Sequence, residues 1–94
     1  MELVVVEAAD CAYCSLLRKS VLSGDEVSLP TRQVPVRFVD AQDLGSGGIE
    51  LARPVDVVPT AVLMRDGAEV GRISGYVGRQ NFLRSINYLM LRLR

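Results

Sequence analysis

Leu3-Val4-Val5-Val6 is an unbroken apolar run rich in β-branched residues, and such a run predicts a short strand buried on both faces and central in its sheet. Beyond it, Cys14, Leu17 and Val21 recur at spacings of three and four, one face of a helix, with Asp10 placed to cap it and Gly24 to end it. Ser23 to Pro35 is rich in Ser, Gly, Asp and Pro and reads as a surface loop. Val34 to Val39 alternates around Arg37 as a second strand, parallel to the first because a helix intervenes. The stretch from Asp40 to Arg53 contains Gly45-Ser46-Gly47-Gly48 and has room for a short helical turn around Ile49 to Ala52 at most. Thr60 to Met64 and Glu69 to Ser74 are strand-like runs joined through Arg65-Asp66-Gly67, and Asp-Gly between two such runs predicts an antiparallel hairpin. Phe82, Leu83, Ile86, Leu89, Met90 and Leu93 then mark Arg79 to Leu93 as an amphipathic helix lying on the sheet.

The order is β-α-β-(short α)-β-β-α, an α/β fold with a four-stranded mixed sheet. At 94 residues the chain encloses one core, so residues 1–94 form a single domain. Apolar residues are 49% and charged ones 23%, a globular composition, which argues against wholesale disorder. Formal net charge is +0, without the basic footprint that accompanies nucleic-acid binding. The longest apolar runs, Leu3 to Val6 and Ala61 to Met64, fall far short of the roughly 20 residues that cross a bilayer, so membrane insertion is not expected. Acids outnumber bases nine to five over Met1 to Asp56, and bases outnumber acids six to two over Val57 to Arg94. A solvated face on the last helix accounts for that asymmetry. No signal peptide is visible ahead of the first strand.

Chemistry concentrates in Cys11-Ala12-Tyr13-Cys14. Histidine is absent, which excludes Ser-His-Asp and Cys-His catalysis, and two cysteines without histidine supply half of a zinc site, so no metal is assigned. Two cysteines three residues apart are also no disulfide framework for a small secreted scaffold. A helix N-terminus carries unpaired N–H groups and the positive end of the macrodipole, and both stabilise a thiolate. Cys11 is therefore the expected nucleophile, and Cys14, a turn further in, is placed to attack a mixed disulfide formed on Cys11.

Cys-X-X-Cys after a buried strand, followed by Val58-Pro59-Thr60, an Asp66-Gly67 hairpin and Gly75-Tyr76 before a terminal helix, resembles the thioredoxin superfamily. The likeness covers nearly the whole chain and rests on four landmarks in order. It is greatest to the small periplasmic thioredoxins associated with bacterial sulfur-oxidation gene clusters, which keep partner proteins' cysteines reduced. The resemblance implies a trimmed thioredoxin fold, beginning at the cysteine-bearing strand, in which Pro59 is cis and lies against the disulfide. It also implies a thiol-disulfide oxidoreductase that needs no cofactor, serves a disulfide-containing protein substrate and is recharged by an upstream thiol reductant. A periplasmic location follows from the same likeness, with the cytoplasm as the alternative, and a monomer is expected. Val58, Pro59, Gly75, Tyr13 and Tyr76 are the expected substrate-binding residues, with main-chain pairing at Val58 suited to an extended peptide; core packing is the competing role for Tyr76.

The chain also departs from thioredoxins proper. Asp10 stands where they have Trp, the inner dipeptide is Ala12-Tyr13, and Val5 replaces the buried Asp that serves the resolving cysteine. Glu7 is the nearest substitute as a proton acceptor, with a solvated residue at the strand end as the bland alternative. A glutathione-binding Gly-Gly-Asp is not matched by Gly75-Tyr76-Val77-Gly78. Ala12 and Tyr13 offer no positive charge to hold a thiolate and Asp10 opposes one, so the expected potential lies nearer thioredoxin's ~−270 mV than the ~−120 mV of a strong oxidant. A non-catalytic peptide-binding module and a redox sensor are the other functions open to such a domain.

Overall fold

The computed structural model describes residues 1–20, 26–28, 33–46 and 51–92. Its elements run β1 (Glu2–Glu7), α1 (Ala12–Ser20), β2 (Glu26–Ser28), β3 (Gln33–Asp40), a 3-10 turn (Ala41–Ser46), β4 (Thr60–Arg65), β5 (Ala68–Ser74) and α2 (Arg79–Leu91). Leu3, Val4, Val5 and Val6 are each 0% exposed. A strand buried on both faces must have neighbours on both edges, and β1 pairs parallel with β3 and antiparallel with β4. The expected four-stranded mixed sheet is thus β3-β1-β4-β5, and β2 extends it on the outer edge of β3. That three-residue strand corrects the reading of 23–35 as loop throughout: pairing of Glu26 to Ser28 with Pro35 to Gln33 creates it, not any hydrophobic pattern of its own.

The hairpin turns where expected. Asp66 and Gly67 have φ of 54° and 82°, the two positive values that a tight hairpin turn needs and that Asp-Gly supplies at low strain. Of the expected helical turn around Ile49 to Ala52, Leu51 and Ala52 are not helical, and 49 and 50 fall outside the described residues; a 3-10 turn not foreseen occupies Ala41–Ser46, where Asp40 Oδ1 accepts the Gln42 N–H at 2.8 Å. Gly24, Val21 and Leu93 also fall outside the described residues.

The two faces of the sheet are covered differently. On one, Leu3, Val5, Val36, Ala61 and Leu63 pack beneath Leu17 of α1 and Phe82 and Ile86 of α2. There α2 comes so close to β5 that a Cβ on Gly71 would lie 2.5 Å from Leu89 Cδ2. On the other face, Val4, Val6, Val62 and Met64 are covered by Ala41, Leu44, Leu51, Val55 and Val58 from the 3-10 turn and irregular chain.

An ion pair pins that irregular chain. Arg72 donates to both oxygens of Glu69, Nε to Oε2 at 2.6 Å and Nη2 to Oε1 at 2.8 Å, and the two side chains are only 5% and 4% exposed. Arg72 also donates to the carbonyls of Arg53 at 2.7 Å and Pro54 at 3.1 Å, while Glu69 Oε1 accepts the Ala52 N–H at 2.7 Å. In a regular strand residues 69 and 72 point to opposite faces. A bulge between Leu63 and Met64 in the β4–β5 register pairs Met64 with Glu69 but Leu63 with Gly71, which brings Glu69 and Arg72 to the same face.

The Arg72 hydrogen bonds hold the Glu69 carboxyl below its ordinary value of 4.5, burial opposes them, and the Ala52 N–H adds to the lowering. The unfolded chain thus takes up a proton near pH 4.5 that the folded chain still refuses. The contribution is complete above that pH and is lost as pH falls through the lower folded value. Arg72→Met, which strands a buried carboxylate, is expected to lower the unfolding free energy by about 3–5 kcal/mol at pH 7 in urea titrations. The deficit should shrink as pH falls through the lower folded value, where Glu69 is neutralised in the wild-type chain as well.

Candidate active site

Where β1 ends, the chain turns through Asp10 into α1. Asp10 has φ 57°, a left-handed conformation that Asp tolerates better than most residues. Its contribution is therefore to the turn, and the expectation that it caps the helix is corrected. Helical hydrogen bonding starts one residue later, with Ser15 N–H donating to the Cys11 carbonyl at 3.2 Å. Cys11 stands at the cap position, and its Sγ accepts the Cys14 N–H at 3.1 Å, the bond that a Ser or Asp side chain makes elsewhere.

Cys11 and Cys14 form a disulfide with their Cα atoms 5.2 Å apart. Cys14 is 4% exposed and packs inward, whereas Cys11 is half-buried and reaches solvent. Beside them opens a polar cavity of about 540 Å³ that both cysteines line together with Glu7, Asp10, Ser15 and Arg18. Glu7 sits at the end of β1 and is held from α1: Arg18 donates Nε to its Oε2 at 3.1 Å and Nη2 to its Oε1. Arg18 lies over the Phe38 ring at 3.5 Å, and its guanidinium is raised above its ordinary value chiefly by the hydrogen bonds to Glu7. Glu7 is thus ion-paired at the mouth of the cysteine cavity, not simply solvated.

On the other side of α1 lies an apolar groove of about 590 Å³. All five expected substrate-binding residues, Tyr13, Val58, Pro59, Gly75 and Tyr76, line it, joined by Leu16, Val77 and Gly78. Tyr13 is 60% exposed and Val77 81%, so the rim presents bare hydrophobic surface. Tyr76 serves both of its expected settings, since its ring meets Phe82 edge-on at 6.0 Å while it borders the groove. Leu16 escaped the sequence reading, although its position three after Tyr13 places the two on one helix face.

The floor of the groove is set by backbone. The Val58–Pro59 peptide is cis. Pro59 carbonyl accepts the Gly75 N–H at 2.8 Å, and the buried Thr60 hydroxyl donates to the Val57 carbonyl at 2.7 Å. Among the described residues no helix is long and apolar enough to cross a membrane.

A buried sulfur one turn behind an accessible one, at a helix start beside an apolar groove, is the geometry of dithiol-disulfide exchange. The class it defines is that of the thiol-disulfide oxidoreductases. The chain belongs to the thioredoxin-like domain family, whose model matches residues 2–90. Its structure is similar to that of the periplasmic thioredoxin SoxS from Paracoccus pantotrophus in the reduced form, with TM-score 0.84 and 30% identity over 99% of this chain and 98% of that one. Thioredoxin 1 from the thermophilic eubacterium Thermosipho africanus TCF52B shares the fold at TM-score 0.59 and 16% identity, with 100% of both chains covered. No curated protein sequence matches the chain.

After reduction, the difference in burial between the two sulfurs is expected to separate their reactivity. Limited iodoacetamide treatment followed by peptide mass spectrometry should label Cys11 at least about tenfold faster than Cys14, in keeping with the dependence of thiol reactivity on access and thiolate content.

Proposed function

We propose that this oxidoreductase works as a reductase of protein disulfides, with Cys11 attacking and Cys14 resolving. The observation that carries the reading is the pairing of an accessible Cys11 sulfur, hydrogen-bonded at a helix start, with an adjoining apolar groove whose floor is the backbone around Pro59. An extended segment of the substrate lies in the groove and pairs with main chain near Val58, while Tyr13, Gly75 and Tyr76 contact its side chains.

The steps balance within the sulfur pair. Cys11 thiolate attacks one substrate sulfur, forming a mixed disulfide and expelling the other sulfur as a thiolate that takes a proton. Cys14 then loses its proton, attacks Cys11 Sγ and releases the second substrate thiol, so two electrons pass from the dithiol to the substrate. No cofactor is required, and an upstream thiol reductant must restore the pair. Glu7 borders the cavity that Cys14 reaches and is the carboxylate assigned to accept the proton of Cys14, with Arg18 holding it in place.

Direction follows from charge. An oxidant needs its reduced form stabilised by a thiolate held unusually well. Here Ala12 and Tyr13 bring no cation, Asp10 adjoins Cys11, and Arg18 is engaged with Glu7. The likeness to SoxS supports a periplasmic setting, where an oxidising environment makes a dedicated reductase useful.

Insulin reduction tests the reading: the wild-type chain should turn over with a thiol reductant, Cys11→Ser should abolish turnover, and Cys14→Ser should accumulate a mixed disulfide on Cys11. A binding module or sensor would show no turnover. Equilibration with a glutathione buffer should place the potential nearer ~−270 mV than ~−120 mV. Release of a trapped mixed disulfide should slow in Glu7→Gln, and a rate unchanged across pH would remove Glu7 from the mechanism.

A further inference from the structure

The segment that ends in the groove floor, Leu51 to Pro59, lies outside the regular elements, yet it must hold Val57, Val58 and Pro59 in one arrangement. At its far end it is anchored by Thr60 on Val57 and by Gly75 on Pro59. At its near end the anchor is the Glu69–Arg72 pair, which takes the N–H of Ala52 and the carbonyls of Arg53 and Pro54. Val55 and Val58, between the two anchors, pack on the sheet, and the charge of Asp56 acts on Arg72.

Two features of that near anchor are unfavourable taken alone. The bulge in β5 interrupts the ladder with β4, and burial strips two charges of water. Together they put a planar guanidinium where it bonds a carboxylate and two carbonyls at once, which a lysine's single ammonium cannot reproduce. What the arrangement gains is a fixed position for residues 52–54, the last of them four residues before Val58 at the groove.

We infer that Arg72, buttressed by Glu69, is a positioning residue for substrate binding: it holds the Leu51–Pro59 segment so that the Val57–Pro59 floor is ordered before a peptide arrives. The inference rests on the peptide-disulfide reading above. Without the clamp, ordering the floor would fall to the binding step and weaken it. Chemistry at Cys11 would be untouched, because the clamp lies on the sheet face opposite α1.

The test removes the clamp without stranding a charge. Glu69→Leu combined with Arg72→Met replaces a buried ion pair by apolar side chains, a change that commonly leaves stability equal or higher. Residues 52–54 are exposed, so water can satisfy their backbone groups. With insulin as substrate, the double variant is expected to show KM raised about three- to tenfold with kcat within twofold of wild type. Its reduced form should react with hydroxyethyl disulfide, too small to use the floor, at the wild-type rate. Amide exchange at Val57 and Val58 should be at least about tenfold faster. Arg72→Lys, which keeps the charge but not the fork, should fall between the two and carries the test should the double variant not fold. An unchanged KM and unchanged exchange in a folded variant would overturn the inference. Failure of the wild-type chain to reduce insulin would instead defeat the peptide-disulfide reading, and amide exchange would still decide whether the clamp orders the floor.

Discussion

The N–H of Cys14 reaching the sulfur of Cys11 is the contact on which the site depends. It makes the reactive atom the cap of its own helix, so catalytic and structural demands fall on one group. A neutral hydrogen bond of this kind contributes about 1 kcal/mol, and one to an ionised acceptor roughly 1.5–3 kcal/mol. The contact therefore strengthens when Cys11 is a thiolate, which is the state that attacks. The same turn holds the two Cα atoms 5.2 Å apart, inside the usual disulfide range.

That helix start is only as fixed as the strand that leads into it. β1 has no exposed surface along Leu3 to Val6 and is paired on both edges, so the strand that leads into the helix is fixed from both sides. From there the site is built outward on two unequal supports. α1 and α2 pack by side-chain burial on one face, while the other relies on an irregular segment tied down by a buried ion pair. The groove sits at the junction, with Tyr13 and Leu16 from the helical side and Val58 and Pro59 from the irregular side.

Much of this was legible in the sequence because it is written in local patterns. The β-branched run, Asp66-Gly67 and the spacing from Phe82 to Met90 each specify an element through nearby residues alone, and Cys-X-X-Cys at a strand-to-helix junction specified the chemistry. What escaped depends on distant partners. β2 has one apolar residue, Val27, and is a strand because β3 lies beside it. The 3-10 turn at Ala41–Ser46 begins where the Asp40 side chain accepts the Gln42 N–H, a contact with no hydrophobic pattern to announce it. Asp10 looked like a cap by residue type, but its left-handed backbone put the sulfur in that position instead. The pairing of Glu69 with Arg72 has no signal in the strand pattern, since only a bulge brings residues three apart onto one face of a sheet.

The two openings beside α1 differ in chemical character. In the reading proposed above, a polypeptide substrate finds apolar contact and main chain in the groove, while protons leaving and entering thiols find polar groups in the cavity lined by Glu7, Ser15 and Arg18. Both sulfurs border that polar cavity and neither lines the groove. The placement of the inner sulfur thus follows from the same geometry that hides it from large partners: one turn of helix carries it inward, and the polar side of that helix keeps it wet.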